Sequence, residues 1–141
     1  MKYSHKLSDA IHIMVYLDMF QDGDLSSRAI ASSVNSNASV VRSLMSSLRA
    51  AKLIQSKQGI AGAKLTKPAA QINLYEIYRA VEGEQQLLHV DPKTNPNCVI
   101  GGNIQTVLEA EYQRIANQAF AEMKRISLQD IIDGIKRQVE H

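Results

Sequence analysis

Apart from Cys98 the chain has no cysteine, so neither an intramolecular disulfide framework nor a zinc site of four thiolates from one chain can form. No apolar run approaches the ~20 residues that a membrane-spanning helix requires. Met1-Lys2-Tyr3-Ser4-His5 leads into an amphipathic segment instead of the apolar core of a signal peptide. Nucleophile motifs, a phosphate-cradling glycine loop and paired carboxylates are also missing. Glu109 and Glu111 stand two apart on a predicted helix and point in different directions, which does not make an acid/base pair. An enzyme is therefore not expected. At 141 residues and 15.6 kDa, with 45% hydrophobic and 21% charged residues, the chain suits one cytoplasmic globular domain, or a small domain plus an oligomerisation element.

The most informative shortage is of acid. Between Leu25 and Tyr75, 51 residues pass without an Asp or Glu, yet the stretch holds Arg28, Arg42, Arg49, Lys52, Lys57, Lys64 and Lys67. The net charge of +2 hides this division: residues 1–70 hold nine basic and four acidic side chains, residues 71–141 seven and ten. A polyanion repels every nearby carboxylate, so an acid-free basic half suits a nucleic-acid face; a merely basic solvated surface is the alternative.

Hydrophobic spacing orders the chain. Leu7, Ile11, Met14, Val15 and Met19 recur in steps of three and four, a helix with one buried face, ended by Gln21-Asp22-Gly23-Asp24. Ser26 suits the N-cap of a short helix bearing Ala29, Ile30 and Val34. After Asn35-Ser36, Asn37 caps a second helix with Val41, Leu44, Met45 and Leu48 on one side. Leu53–Lys57 and Ala63–Thr66 flank Gly59-Ile60-Ala61-Gly62 as a hairpin, and Pro68 closes the unit. Asn73 caps a further helix carrying Leu74, Ile77, Tyr78 and Val81, with Gly83 as its stop. Pro92 and Pro96 make 84–100 an irregular loop, followed by a long helix from about Ile104 to Met123. Ser127-Leu128-Gln129-Asp130 then starts a final helix that ends near Val139. The expected fold is mainly α with a small β-hairpin wing: a winged helix-turn-helix over 1–83, a loop over 84–100, and C-terminal dimerisation helices over 101–141.

Function is carried by the helix-turn-helix spacing. Two tightly crossing helices need a small residue at their contact, a turn residue tolerant of the left-handed region, and apolar residues inside the second helix. Ala31, Asn35 four later, and Val41 and Leu44 at ten and thirteen meet these needs. The second helix then shows Ser39, Val40, Arg42, Ser43, Ser46 and Ser47 outward. Small hydroxyls permit deep entry into a major groove, and Arg42 is the long donor able to read a guanine edge. Ser26, Arg28 and Asn37 belong to the same face. Lys57, Gln58 and Lys64 flank the wing's glycine-bearing tip, within reach of phosphates or the minor groove, and Lys2 and Ser4 add phosphate contacts before the first helix.

Leu53-Ile54-Gln55-Ser56-Lys57-Gln58-Gly59, with Gly62 and Leu65, resembles the wing of the Rrf-two family of bacterial transcription regulators, the IscR/NsrR/CymR group. Ile72, Leu74, Glu76-Ile77 and Ala80-Val81-Glu82-Gly83 resemble that family's most specific run, and 107–131 is similar to its dimerisation and closing helices. The resemblance implies a homodimer that binds a palindromic operator on double-stranded DNA, usually as a repressor. It also implies an interface along the long helix, for which Ile104, Val107, Leu108, Ile115, Ala119 and Met123 are the candidates. Arg42 stands where IscR-type recognition helices carry an acidic reader, so a different operator is expected. Ala61, Ala63 and Lys64 replace glycines and an aromatic usual in the wing. Cluster-binding members carry three cysteines near 84–101; Cys98 alone occupies such a position and Gly101 stands at the histidine position, so no iron–sulfur cofactor is expected.

Cys98 reads as a small packed residue near the start of the long helix; a redox-sensing thiol, which needs a lowered pKa and solvent access, is the alternative. His89, Asp91 and Cys98 fit no standard metal spacing. His5 and His12 share the first helix's face as surface or groove-edge residues, and Tyr75 and Tyr78 read as core, with an effector pocket as the alternative. A small effector of unknown chemistry and no membrane partner complete the expectation. The competing readings are a winged helix that meets an acidic protein, and a regulator switched through Cys98.

Overall fold

The computed structural model describes residues 4–57, 59, 62–84 and 86–140; Lys2 and Gln58 lie outside the described residues. The elements run α1 (Lys6–Met19), α2 (Ser27–Val34), α3 (Ala38–Ala50), β1 (Ile54–Ser56), β2 (Ala63–Leu65), α4 (Leu74–Glu82), α5 (Ile104–Arg125) and α6 (Leu128–Val139). A 3-10 turn over Ala69–Gln71, for which the sequence reading had no element, separates the hairpin from α4.

Local chemistry sets these boundaries. Ser26 Oγ accepts the Ala29 N–H at 3.2 Å, and Asn37 Oδ1 accepts that of Val40 at 2.9 Å, which fixes the starts of α2 and α3. Asn35 takes the left-handed conformation (φ 61°, ψ 47°) in the turn between them. Lys52 does the same after α3 (φ 63°). There the Leu53 N–H reaches the Leu48 carbonyl at 3.0 Å, closing the helix as a glycine normally would. β1 and β2 pair antiparallel, Ile54 opposite Leu65, Gln55 opposite Lys64 and Ser56 opposite Ala63.

A single large core joins the helix-turn-helix to the last helix. Ile13, Met14 and Leu17 of α1, Ile30 of α2, Val41 and Leu48 of α3, Ile54 of β1 and Ile77 of α4 pack in one cluster with Leu128 and Ile132 of α6. The closing helix thus returns to lie on α1 and the 3-10 turn, not with α5 alone. Asn73 and Ser127 meet as an isolated antiparallel bridge, with Leu74 N–H on the Ile126 carbonyl and Leu128 N–H on that of Ile72 (3.0 and 2.8 Å). α5 is tied on separately, by Ala116 and Phe120 packed against Tyr78. The Arg79 guanidinium lies 4.8 Å from the Phe120 ring centre and donates through Nε to the Tyr75 hydroxyl at 2.8 Å. That hydrogen bond raises the Arg79 pKa further, while burial raises that of Tyr78. Tyr75 and Tyr78 are therefore packing residues of the α4–α5 contact.

Candidate nucleic-acid interface

The interface is built on α3. Val41, Leu44, Met45 and Leu48 are buried, which turns the opposite side of the helix outward. At about 100° per residue, Ser39, Ser43 and Ser46 centre that outer side, while Arg42 and Arg49, seven apart, stand within about 20° of each other on one flank. Ser39, Val40, Arg42, Ser43 and Ser46 are exposed. Ser47 departs from the expected outer face: it is half-buried, and its hydroxyl donates back to the Ser43 carbonyl at 3.4 Å.

Between the start of α2, the arginine flank of α3 and the root of the wing lies an open cleft of about 720 Å³. Arg28, Arg42 and Arg49 line it, with Ser26, Ser27 and Gly62. None of the three guanidiniums has an ion-pair or hydrogen-bond partner among the described residues. Asp24 also borders the cleft; its carboxylate accepts the Ser26 N–H at 3.0 Å, and that bond holds its pKa below the ordinary carboxylate value. Arg49, absent from the residues expected at the interface, lines the cleft beside Arg42, and its place seven after Arg42, on one helix face, is legible in the sequence.

Other expected contacts have work within the chain. Ser26 and Asn37 cap helices, with the Asn37 amide nitrogen left without an acceptor among the described residues. Lys57 Nζ donates to the Gln21 carbonyl at 2.8 Å, tying the wing to the loop after α1, whereas Lys64 on the facing strand is exposed. Ser4 donates to Glu82 Oε1 at 2.7 Å, so its hydroxyl is engaged by a carboxylate. His5 is exposed, and His12 Nε2 lies 2.8 Å from Ser33 Oγ, linking α1 to α2. On α5, Ile104, Val107 and Ile115 are exposed, and Leu108 and Ala119 are half-buried. Met123 departs from this stripe and packs against Tyr78, Ala116 and Phe120 of its own chain.

Cys98 is exposed, not packed as expected, because it sits on turns that precede α5. Backbone N–H groups of Gly101 and Ile100 hydrogen-bond its sulfur and lower its pKa.

A helix-turn-helix with a hairpin wing and an outward, basic second helix defines a winged-helix transcription regulator. Residues 3–134 match the family described as Rrf2, iron-dependent transcriptional regulator, and the chain belongs to it. It is 38% identical over 130 residues to Putative HTH-type transcriptional regulator YwnA of Bacillus subtilis (strain 168), covering 92% of this chain and 96% of that protein. A solved structure described as a putative DNA binding protein is 35% identical, with a TM-score of 0.73 over 90% of this chain and 98% of that one. CymR of B. subtilis, the global cysteine regulator, shares the fold at 24% identity, with a TM-score of 0.69 over 94% of this chain and 97% of that one. The family's description names iron, but the residues here do not fit it. Cys98 is the chain's single thiol and is exposed, and among the described residues no three His, Cys, Asp or Glu side chains gather to hold a metal.

Proposed function

We propose that the chain is a cytoplasmic, homodimeric repressor that binds a palindromic operator without an iron–sulfur cluster. The observation that carries this reading is the outer face of α3, exposed from Ser39 to Ser46 with Arg42 unpaired among the described residues, inside a stretch free of carboxylates from Leu25 to Tyr75. Arg42 and the α3 serines supply base preference, and Val40 a methyl contact. Lys64 and the wing supply phosphate contacts, which add affinity through counterion release without sequence preference. The exposed apolar stripe on α5 supports pairing of two copies, which sets two recognition helices about 34 Å apart, one duplex turn.

Selection of bound duplexes from a random pool, followed by mobility-shift titration, tests the reading. Enrichment of an inverted repeat, bound more tightly than random duplex, is the expected result. Equal affinity for selected and random duplexes removes the specific regulator, and binding to an acidic protein with no duplex binding at low salt favours the protein-contact alternative.

A further inference from the structure

The arginine cleft lies beside the base-reading face, not on it. Arg42 and Arg49 leave α3 about 10 Å apart along its axis, and Arg28 enters from α2, so the three cations address an extended anion better than one small ion. Asp24, the one carboxylate on the lining, accepts the Ser26 amide and pairs with none of the arginines, so three cations face its single negative charge. The Ser27 and Arg28 amides, in the first turn of α2, have no acceptor among the described residues and add donors at the positive end of that helix. Leu25 and Met45 are buried and give the cleft an apolar floor, while Gly62 keeps the root of the wing free of a side chain.

We propose that this cleft is a phosphate clamp, in which Arg28 and Arg49 grip the phosphodiester backbone of the strand that borders the groove entered by α3. Arg42 stands at the junction of clamp and groove. The clamp fixes how far α3 slides along the duplex, and Arg28 and Arg49 add affinity that is blind to sequence. The proposal rests on the reading of the chain as a DNA-binding protein, but it does not require that binding be sequence-specific.

The test is the salt dependence of the affinity of the full chain for the selected duplex and for a random one. It is measured for the wild type, Arg28→Ala, Arg49→Ala and the double variant, with Arg28→Lys and Arg49→Lys as charge-keeping controls. Each alanine is expected to lower the slope of log K against log salt by about 0.9 for each copy bound, to weaken both duplexes by the same factor, and to leave the selected-to-random ratio unchanged. Both residues are exposed, so thermal melting should coincide with the wild type. The lysine controls should keep the slope. A double variant with the wild-type slope overturns the clamp even if operator preference is intact. A loss confined to the selected duplex overturns it too, by making these arginines base readers. Inorganic phosphate titrated at constant ionic strength separates the sources: binding that displaces no duplex makes the cleft a free-anion site and overturns the proposal. Equal wild-type affinity for both duplexes removes the specific regulator, yet the slope on random duplex still judges the clamp.

Discussion

A Cβ built on Gly62 would stand 2.8 Å from the Leu25 Cβ, so the root of the wing is seated directly on the residue that leads into α2. Gly62 also holds a φ of 125°, which side-chain-bearing residues rarely adopt. Gly62→Ala is therefore expected to destabilise the fold by about 1–3 kcal/mol, from backbone strain and the enforced shift of Leu25. Gly59→Ala is the comparison: φ is 74° there, but among the described residues nothing lies within 4 Å of the added carbon. Its cost should stay near the conformational penalty of about 1 kcal/mol. Urea unfolding of the two variants measures the difference, and equal midpoints would show that contact with Leu25 contributes nothing.

Asn73 and Ser127 begin α4 and α6 with capping boxes, to Glu76 and Asp130 respectively, and the two starts are joined by the backbone bridge. Asn73→Ala and Ser127→Ala are each expected to cost about 1 kcal/mol. Because each cap orients a strand-like residue that the other pairs with, the double variant should depart from additivity by at least about 0.5 kcal/mol. Denaturation of the three variants supplies the cycle; strict additivity would mean the caps act independently.

These two joints differ in how far the sequence disclosed them. Ser26, Asn37, Asn73 and Ser127 were legible as caps because a short polar side chain before an apolar-periodic run has one local partner, the amide three residues on. The inward residues of α3 were legible for the same reason of period. Lys52 in the left-handed region was not, since lysine carries no turn signal and the surrounding fold imposes the conformation. Nor was the Tyr78–Ala116–Phe120 contact, whose members are remote in sequence; it draws Met123 away from the exposed stripe on α5. The site was half legible. The exposed serines and Arg42 follow from helical period, whereas the cleft arises where α2, α3 and the wing meet, which no single periodicity encodes. Lys57 read as a free cation, because nothing local points to the Gln21 carbonyl it reaches.

That hydrogen bond separates the two wing lysines. Lys57→Ala is expected to lower stability by about 0.5–1.5 kcal/mol, the usual range for a hydrogen bond in a fold, in addition to any loss of affinity. Lys64→Ala should leave the melting curve unchanged, weaken all duplexes alike and flatten the salt dependence. Arg42→Ala should instead relax base preference, by about 1–3 kcal/mol at one position of the half-site, with stability unchanged. Melting curves together with titrations on matched and mismatched duplexes distinguish the three. An Arg42→Ala protein with full preference would move base reading to the serines.

On α5, Ile104, Leu108 and Ile115 lie within about 40° of one another around the helix axis, and Ile104 and Ile115 are exposed by 36% and 48%. Ala116, Phe120 and Met123 occupy another side, against α4. A charge in the first stripe should break the pairing of copies while sparing the chain's own core. Ile115→Asp is expected to sediment at one times the chain mass of 15.6 kDa where the wild type sediments at twice that, with unchanged helix content. A wild type that is monomeric at micromolar concentration would remove the dimer.

The thiol of Cys98 is exposed and receives hydrogen bonds from the Gly101 and Ile100 amides, which favour the thiolate and depress its pKa relative to the unfolded chain. Alkylation by iodoacetamide followed against pH should therefore reach half its maximal rate at a lower pH in the native protein than in urea, where the thiol titrates near the ordinary value of about 8.5. The same shift fixes the sign of the linkage. Stability supplied by the thiolate is present above the unfolded thiol's pKa and is lost as pH falls through the depressed folded value. Cys98→Ser should abolish that component of the pH dependence. DNA affinity of the reduced, oxidised and serine forms decides whether the thiol regulates: unequal affinities make Cys98 a switch, and equal ones leave it a reactive surface residue without influence on α3. Coincident native and unfolded alkylation profiles would show that the two amides do not hold the sulfur in solution.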